Sequence, residues 1–180
     1  MGRMTRYIAL LRGINVGGIN ITMAALAETV RALGHTDVKT VLASGNVVFT
    51  SDQTDAAALK SGLEHALTEA FGYEAWVVLL DRTDLAVAVD DYPFDERDGW
   101  HSYVMFGSDP DRLDELMRAA PDLDPADEQV RRGAGVLYWQ VRREVGIKSP
   151  FSSLAAKARF KSSTTNRNLR TLRKILDLPA

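Results

Sequence analysis

The sequence predicts an α+β protein built as two successive β-α-β-β-α-β halves with an additional helix at the C-terminus. Three observations carry this. Apolar runs of strand length alternate with stretches of helical period. Two of the runs are split by Gly-containing turns that read as hairpins, Ser44-Gly45-Asn46 and Gly133-Ala134-Gly135. The order of elements in the first ninety residues then recurs in the last eighty.

The first strand is Tyr7-Ile8-Ala9-Leu10-Leu11, stopped by the Gly-rich run RGINVGG. Thr22 suits the N-cap of a helix carrying Leu26, Val30 and Leu33 at i, i+4 and i+7, and Gly34 ends it. Val38–Ala43 and Val47–Thr50 flank the first hairpin turn. A second helix has Leu59, Leu63, Ala66, Leu67 and Ala70 on one face and Gly72 at its end. Ala75–Leu80 is the fourth strand. Leu10, Val41, Val48, Leu63 and Val78 are the expected core of this half. Asp81 begins a short helix, and the acidic stretch from Asp90 to Gly99 reads as a linker.

The second half opens with the strand Ser102–Phe106. A helix follows, carrying Leu113, Leu116, Met117 and Ala120, with Pro121 beyond it. Gln129–Arg132 and Val136–Arg142 flank the second hairpin turn. Ser149-Pro150 starts a helix lined by Phe151, Leu154, Ala155 and Ala158, since Ser favours the N-cap and Pro the first helical position. Lys161–Thr165 is the expected last strand, and Leu169, Leu172 and Leu176 mark the closing helix. The β-α-β-β-α-β order is that of the ferredoxin-like unit. The expected division is therefore a ferredoxin-like half over 1–90, an acidic linker over 91–99, and a second such half with a basic closing helix over 100–180.

Composition removes several classes of function. The chain has 180 residues, 46% of them apolar and 26% charged, which is globular composition. It has no cysteine, so a disulfide framework, a thiolate zinc site and a cysteine nucleophile are excluded. Its three histidines, His35, His65 and His101, do not form a helical metal motif, and no cofactor motif is present. The apolar stretch at the N-terminus is only five residues long. A signal peptide needs roughly 7–15 and a membrane span about 20. A cytoplasmic protein without a membrane partner is the expectation.

The net charge of −2 conceals a strong asymmetry. Residues 131–180 contain twelve Lys/Arg against two acids, a balance of +10, and residues 1–130 carry −12. Such a split either solvates the surface and draws the halves together, or marks an anion-binding face on the C-terminal segment.

Topology suggests where residues meet. The first two strands of a half are parallel in this order, so the loop with Arg12 and Asn15 should reach the same sheet edge as Ser44 and Asn46. RGINVGG is neither a dinucleotide fingerprint nor a Walker loop, and conformational glycines are the plain reading of it. In the second half, Lys148 and Ser149 should neighbour Arg167 and Asn168. Asn166 or Asn168 suits the cap of the last helix. Arg167, Arg170 and Lys174 follow i, i+3 and i+7 as a basic face. Trp139 alternates with Leu137 and Val141 and reads as core. The paired acids Asp90-Asp91 and Asp95/Glu96/Asp98 read as a solvated run, and no nucleophile elbow accompanies Ser44.

The runs YIALLRGINVGG and TVLASGNVVF, with TTNRNL before the last helix, resemble the bacterial family of domain of unknown function 1697. Members of that family carry LLRGINVGG, an SGNVVF-like hairpin and a TTRNW-like segment. Here Asn166 intervenes before Arg167-Asn168, and Leu169 stands at the Trp position. The positions that match are Arg12, Gly13, Asn15, Gly17, Gly18, Ser44, Gly45, Asn46, Arg167 and Asn168. The resemblance implies a ferredoxin-like α+β fold and no established activity.

The leading expectation is a binding protein for a phosphate-bearing ligand, either nucleic acid or a phosphorylated small molecule. Its candidate residues are Arg12, Asn15, Ser44, Asn46, Lys148, Arg167, Asn168, Arg170 and Lys174. Two alternatives stand beside it. One is an enzyme acting on a small anionic substrate at the Arg12/Asn15/Ser44/Asn46 edge. The other is a protein–protein interaction module. Catalytic residues and oligomeric state are left open.

Overall fold

A computed structural model describes residues 2–12 and 18–179. The chain divides into two compact units, one formed by residues 1–85 with 174–180 and the other by 86–173.

The first unit holds β1 (Thr5–Arg12), α1 (Met23–Ala32), β2 (Thr36–Thr40), β3 (Asn46–Ser51), α2 (Ala56–Phe71) and β4 (Trp76–Asp81). Its sheet has the order β2-β3-β1-β4, and every neighbouring pair is antiparallel. Local chemistry sets the helix ends. The Thr22 hydroxyl accepts the Ala25 N–H at 3.1 Å, and the Asp55 carboxylate accepts the Ala58 N–H at 3.0 Å. Gly72 closes α2 in the left-handed region, at φ 67°. Alternation along β1 sends Tyr7, Ala9 and Leu11 into a core with Leu26 and Val30 of α1 and Leu59, Leu63 and Leu67 of α2. Leu10 and Val48 fall on the opposite phase of the pleat and are also buried.

The second unit follows the same plan with β5 (Trp100–Gly107), α4 (Pro110–Met117), β6 (Glu128–Gly133), β7 (Val136–Arg142), α5 (Pro150–Ala155), α6 (Ala158–Lys161) and β8 (Thr164–Asn168). The sheet order is β6-β7-β5-β8, again antiparallel throughout. Two helices run across the boundary between units, α3 (Arg82–Asp90) and α7 (Leu169–Leu176). Leu113, Leu116, Leu137, Val141, Phe151 and Phe160 form the core with Trp139, whose ring stacks on Tyr103 at 5.0 Å. Trp139 is thus a core residue, as its alternation predicts.

Four expectations are corrected. The strand expected over Val38–Ala43 ends at Thr40, because Leu42 takes a left-handed backbone, φ 59°, and is exposed. Val41 and Val78 are half-buried and do not belong to the core. The helix expected from Phe151 to Ala158 is two short pieces. Lys157 is extended, at φ −63° and ψ 143°, so Ala158 is exposed and Phe160 plugs the core instead. The last strand lies three residues later than Lys161–Thr165, since Lys161 still belongs to α6. Its sequence, TTNRN, has no apolar residue to announce a strand, yet Thr164, Thr165 and Arg167 are buried.

One buried acid joins three elements of the second unit. Glu128 is almost fully buried; its Oε2 accepts the Trp139 Nε1–H at 2.9 Å and its Oε1 the Phe151 N–H at 3.2 Å. Phe151 lies in the first turn of α5, where backbone N–H groups have no helical partner. Glu128→Ala is expected to destabilise the protein by about 1–3 kcal/mol for each buried donor left unsatisfied. Glu128→Gln keeps one acceptor oxygen and should lose less. Urea unfolding followed by tryptophan fluorescence checks the order.

Candidate functional site

In the first unit, β1 is antiparallel to both flanks, so its last residue meets the first residues of β3 and β4. Leu10 pairs with Asn46 and Arg12 with Trp76, and the Leu11 N–H donates to the Gly45 carbonyl at 2.8 Å. Arg12 and the Ser44–Asn46 turn therefore share one sheet edge. Arg12 is half-buried, and burial lowers its guanidinium pKa. Asn15, like Gly13 and Gly17, lies outside the described residues.

The side chain of Asn46 is fully buried and builds the hairpin. Its Nδ2 donates to the Val41 carbonyl at 2.7 Å and to the Ser44 hydroxyl at 2.9 Å, while the main-chain carbonyl of Asn46 accepts the Val41 N–H at 2.9 Å. Gly45, at φ 83°, supplies the left-handed residue that closes the turn. Two of the candidate residues at this edge, Ser44 and Asn46, thus hold the turn through their own side chains.

In the second unit, β7 and β8 are both antiparallel to β5, so their C-terminal ends lie beside its start. Trp100 pairs with Arg142, and Tyr103 with Asn168. A cavity of about 180 Å³ opens at this edge, lined by Glu96, Arg97, Asp98, Trp100, His101, Ser102, Arg143, Asn168 and Arg170. Three guanidinium groups therefore come from three separate stretches of chain. Arg97 sits 3.7 Å over the Trp100 ring and donates to Gln140 Oε1 at 3.1 Å, which fixes it. Asn168 Oδ1 accepts the Arg170 N–H at 2.9 Å and caps α7. Its amide nitrogen is the other polar group it offers the cavity. Among the described residues neither Arg143 nor Arg170 makes an ion pair. Glu96 at the rim is held by Arg173 through two contacts of 2.9 Å. Asp98 is the other acid of the lining.

His101 reports the electrostatics. Its pKa lies below the ordinary 6.5, first because of burial and then because of the charges of Arg143 and Arg170. The neutral imidazole is therefore the form present near pH 7 in a positively charged site.

The remaining candidates separate. Arg167 is 5% exposed; its guanidinium donates to the Thr165 hydroxyl at 2.6 Å and the Asn166 carbonyl at 2.9 Å. Burial brings its pKa down to about 10, so it is a buried cation at neutral pH. It stands in β8, not on the basic face of α7, which consists of Arg170, Arg173 and Lys174 opposite Leu169, Leu172 and Ile175. Lys148 is exposed in the turn before α5 and does not line the cavity, and Lys174 belongs to the first unit. Sequence reasoning placed Asn168 at the start of the last helix and Arg170 on its basic face, and both line this cavity. It missed Arg97, Trp100, His101 and Arg143. The pairing of Trp100 with Arg142 is the signal that would have found them. Among the described residues, no group of His, Asp and Glu could hold a metal ion, and no helix is long and apolar enough to cross a membrane.

Two outcomes are expected. Asn46→Ala should cost about 1–3 kcal/mol in urea unfolding, because the half-buried Val41 carbonyl loses its donor and the turn loses its side-chain tie to Ser44. His35, stacked on Phe49 at 4.8 Å, also has a pKa below 6.5, through burial opposed by Asp52. For both His35 and His101 the unfolded chain takes up the proton first on acidification. Stability should then fall as pH drops below 6.5 and level off once the folded-state values are passed. Unfolding midpoints of His35→Asn and His101→Asn across that range should be flatter than those of the parent.

Comparison with known proteins places the chain. A conserved bacterial protein, SP0830 from Streptococcus pneumoniae, is 26% identical, with a TM-score of 0.77 over 97% of this chain and 98% of that one. An unknown protein from Galdieria sulphuraria is 7% identical, with a TM-score of 0.28 over 92% of this chain and 99% of that one. No curated protein matches. The family model for the protein of unknown function DUF1697 matches residues 4–138, which hold the LLRGINVGG and SGNVVF motifs. The chain belongs to the DUF1697 family of proteins of unknown function.

Proposed function

We propose that this protein binds a phosphate-bearing ligand at the cavity of its second unit. The observation that carries the reading is the convergence of Arg97, Arg143 and Arg170 on one small cavity, two of them without a counter-ion among the described residues. Guanidinium groups offer paired N–H donors whose spacing fits phosphate oxygens, and such charge-assisted bonds are roughly twice as strong as neutral ones. The cap of α7 adds the positive end of a helix dipole beside Asn168.

The same reading assigns each unit to the ferredoxin-like class. Strand orders β2-β3-β1-β4 and β6-β7-β5-β8 are what a β-α-β-β-α-β chain forms when its first strand takes the centre. A protein acting in the cytoplasm on phosphorylated small molecules or on the phosphates of a nucleic acid agrees with this site. With Arg167 buried, the cations at this edge surround a pocket rather than form a stripe. That favours recognition of one phosphate group over tracking along a backbone.

The test is a titration with inorganic phosphate over about 1–10 mM, the affinity range of a single small-anion subsite. The His101 Cε1–H resonance is the readout, and His35 and His65 are internal controls. A bound anion should raise the pKa of His101, reversing the effect of Arg143 and Arg170. Arg143→Gln and Arg170→Gln should each weaken the response about tenfold, since bonds to charged groups are worth about 1.5–3 kcal/mol. A His101 resonance that ignores phosphate throughout would sink the reading.

A further inference from the structure

We infer that the cavity recognises a terminal phosphomonoester rather than the internal phosphodiester of a polymer. This rests on the phosphate reading above and narrows it. Three features of the cavity carry it.

The first is size. Ligand pockets for molecules of drug size span about 300–1,000 Å³. At about 180 Å³ this half-open cavity holds one small group and leaves the rest of a larger ligand outside. A diester leaves its phosphorus by two ester arms and needs two exits. A monoester needs one.

The second is the number and separate origin of the donors. Arg97 comes from the segment before β5, Arg143 from just after β7 and Arg170 from α7. Three donors carried by three separate stretches of chain suit the three free oxygens of a monoester. A diester has only two, so one guanidinium would be left against an ester oxygen or a carbon.

The third is charge. A phosphomonoester carries about −1.5 to −2 at pH 7, whereas a diester carries a single charge. Three arginines face Asp98, while Glu96 is occupied by Arg173. That leaves an excess of two positive charges over Asp98, the amount that a dianion balances. Trp100, stacked under Arg97, walls the cavity beside these donors and holds that guanidinium in place.

The phosphomonoester can come from a small metabolite or from the 5′ end of a nucleic acid, and the experiment separates them. Binding to the full-length chain is measured for glycerol phosphate, for dimethyl phosphate, and for one short single-stranded oligonucleotide with and without a 5′-phosphate. Glycerol phosphate should bind at least tenfold more tightly than dimethyl phosphate, and Arg143→Gln should remove most of that difference. Asp98→Asn should tighten the monoester by up to about fivefold, the scale of an exposed charge. A gain of tenfold or more from the 5′-phosphate makes the nucleic-acid end the source. A gain for glycerol phosphate alone makes the source a small molecule, and the inference stands in either case. Equal affinity for monoester and diester overturns the inference and leaves the phosphate reading intact. Failure of all four ligands, with His101 unresponsive to inorganic phosphate, overturns both.

Discussion

Each sheet is organised around its first strand, which takes an inner position and runs antiparallel to both its neighbours. This constraint decides which loops meet. With β1 flanked by β3 and β4, the end of β1 faces the starts of both. With β5 flanked by β7 and β8, the start of β5 faces the ends of both. Residues about thirty to seventy positions apart in the chain, such as Trp100, Arg143 and Arg170, thus reach one edge without any direct local signal. The helices contribute by burying one face of each sheet, which fixes the order and with it the edges. Burial of that face also fixes register, because a slip of one residue would turn Tyr7, Ala9 and Leu11 out of the core.

Much of this was legible in the sequence because it depends on short-range patterns. The apolar runs of strand length at β1, β3, β5 and β7, the caps at Thr22 and Ser149, and the terminating Gly72 are local signals, and the structure follows them. The failures occur where local and tertiary preferences diverge. β8 is a strand of polar residues, made stable by hydrogen bonding to β5 and by burial of threonine methyls, so hydrophobic periodicity could not see it. The break at Lys157 is similar. The stretch from Phe151 to Ala158 has a helical apolar pattern, but Phe160 reaches the core only when the chain bends there.

The candidate site was legible in part, and the reason is physical. Arg170 was legible only as part of a basic helix face, whereas Asn168 could be placed because it adjoins a helix start, and a helix start has a sequence signature. His101 and Arg143 have none: one is an ordinary strand residue, the other an ordinary surface arginine, and only the pairing of β5 with β7 brings them together. Arg97 was hidden in a stretch that reads as acidic linker. That stretch lies within the second unit, and Gln140 binds it, donating to the Asp95 carbonyl at 2.7 Å and accepting from Arg97 at 3.1 Å. A charge run read as solvated can thus be tied down by one buried amide.

The motif residues also divide by what their side chains do. Asn46 uses its amide to hold Val41 and Ser44, and Gly45 supplies a left-handed backbone, so the SGN segment shapes a turn. Arg167 extends the same logic to a charge. A guanidinium at 5% exposure loses its hydration, which is why its pKa falls to about 10, and its bonds to Thr165 and the Asn166 carbonyl offset that loss. Arginine tolerates this better than lysine, because its planar fork reaches several acceptors at once and its charge survives the shift. The +10 balance of the last fifty residues therefore overstates the charge available to a ligand. Part of it is turned inward at Arg167, and part is neutralised at the Arg132–Asp114, Arg142–Asp127 and Arg159–Glu115 contacts. Arg143 and Arg170, with Arg97 contributed from the acidic segment, are where positive charge stays gathered around a cavity. Their placement matters more than the count: Arg97, stacked on Trp100, and Arg170, in the first turn of α7, share one concave edge with Arg143, so their fields add there rather than spreading over separate faces.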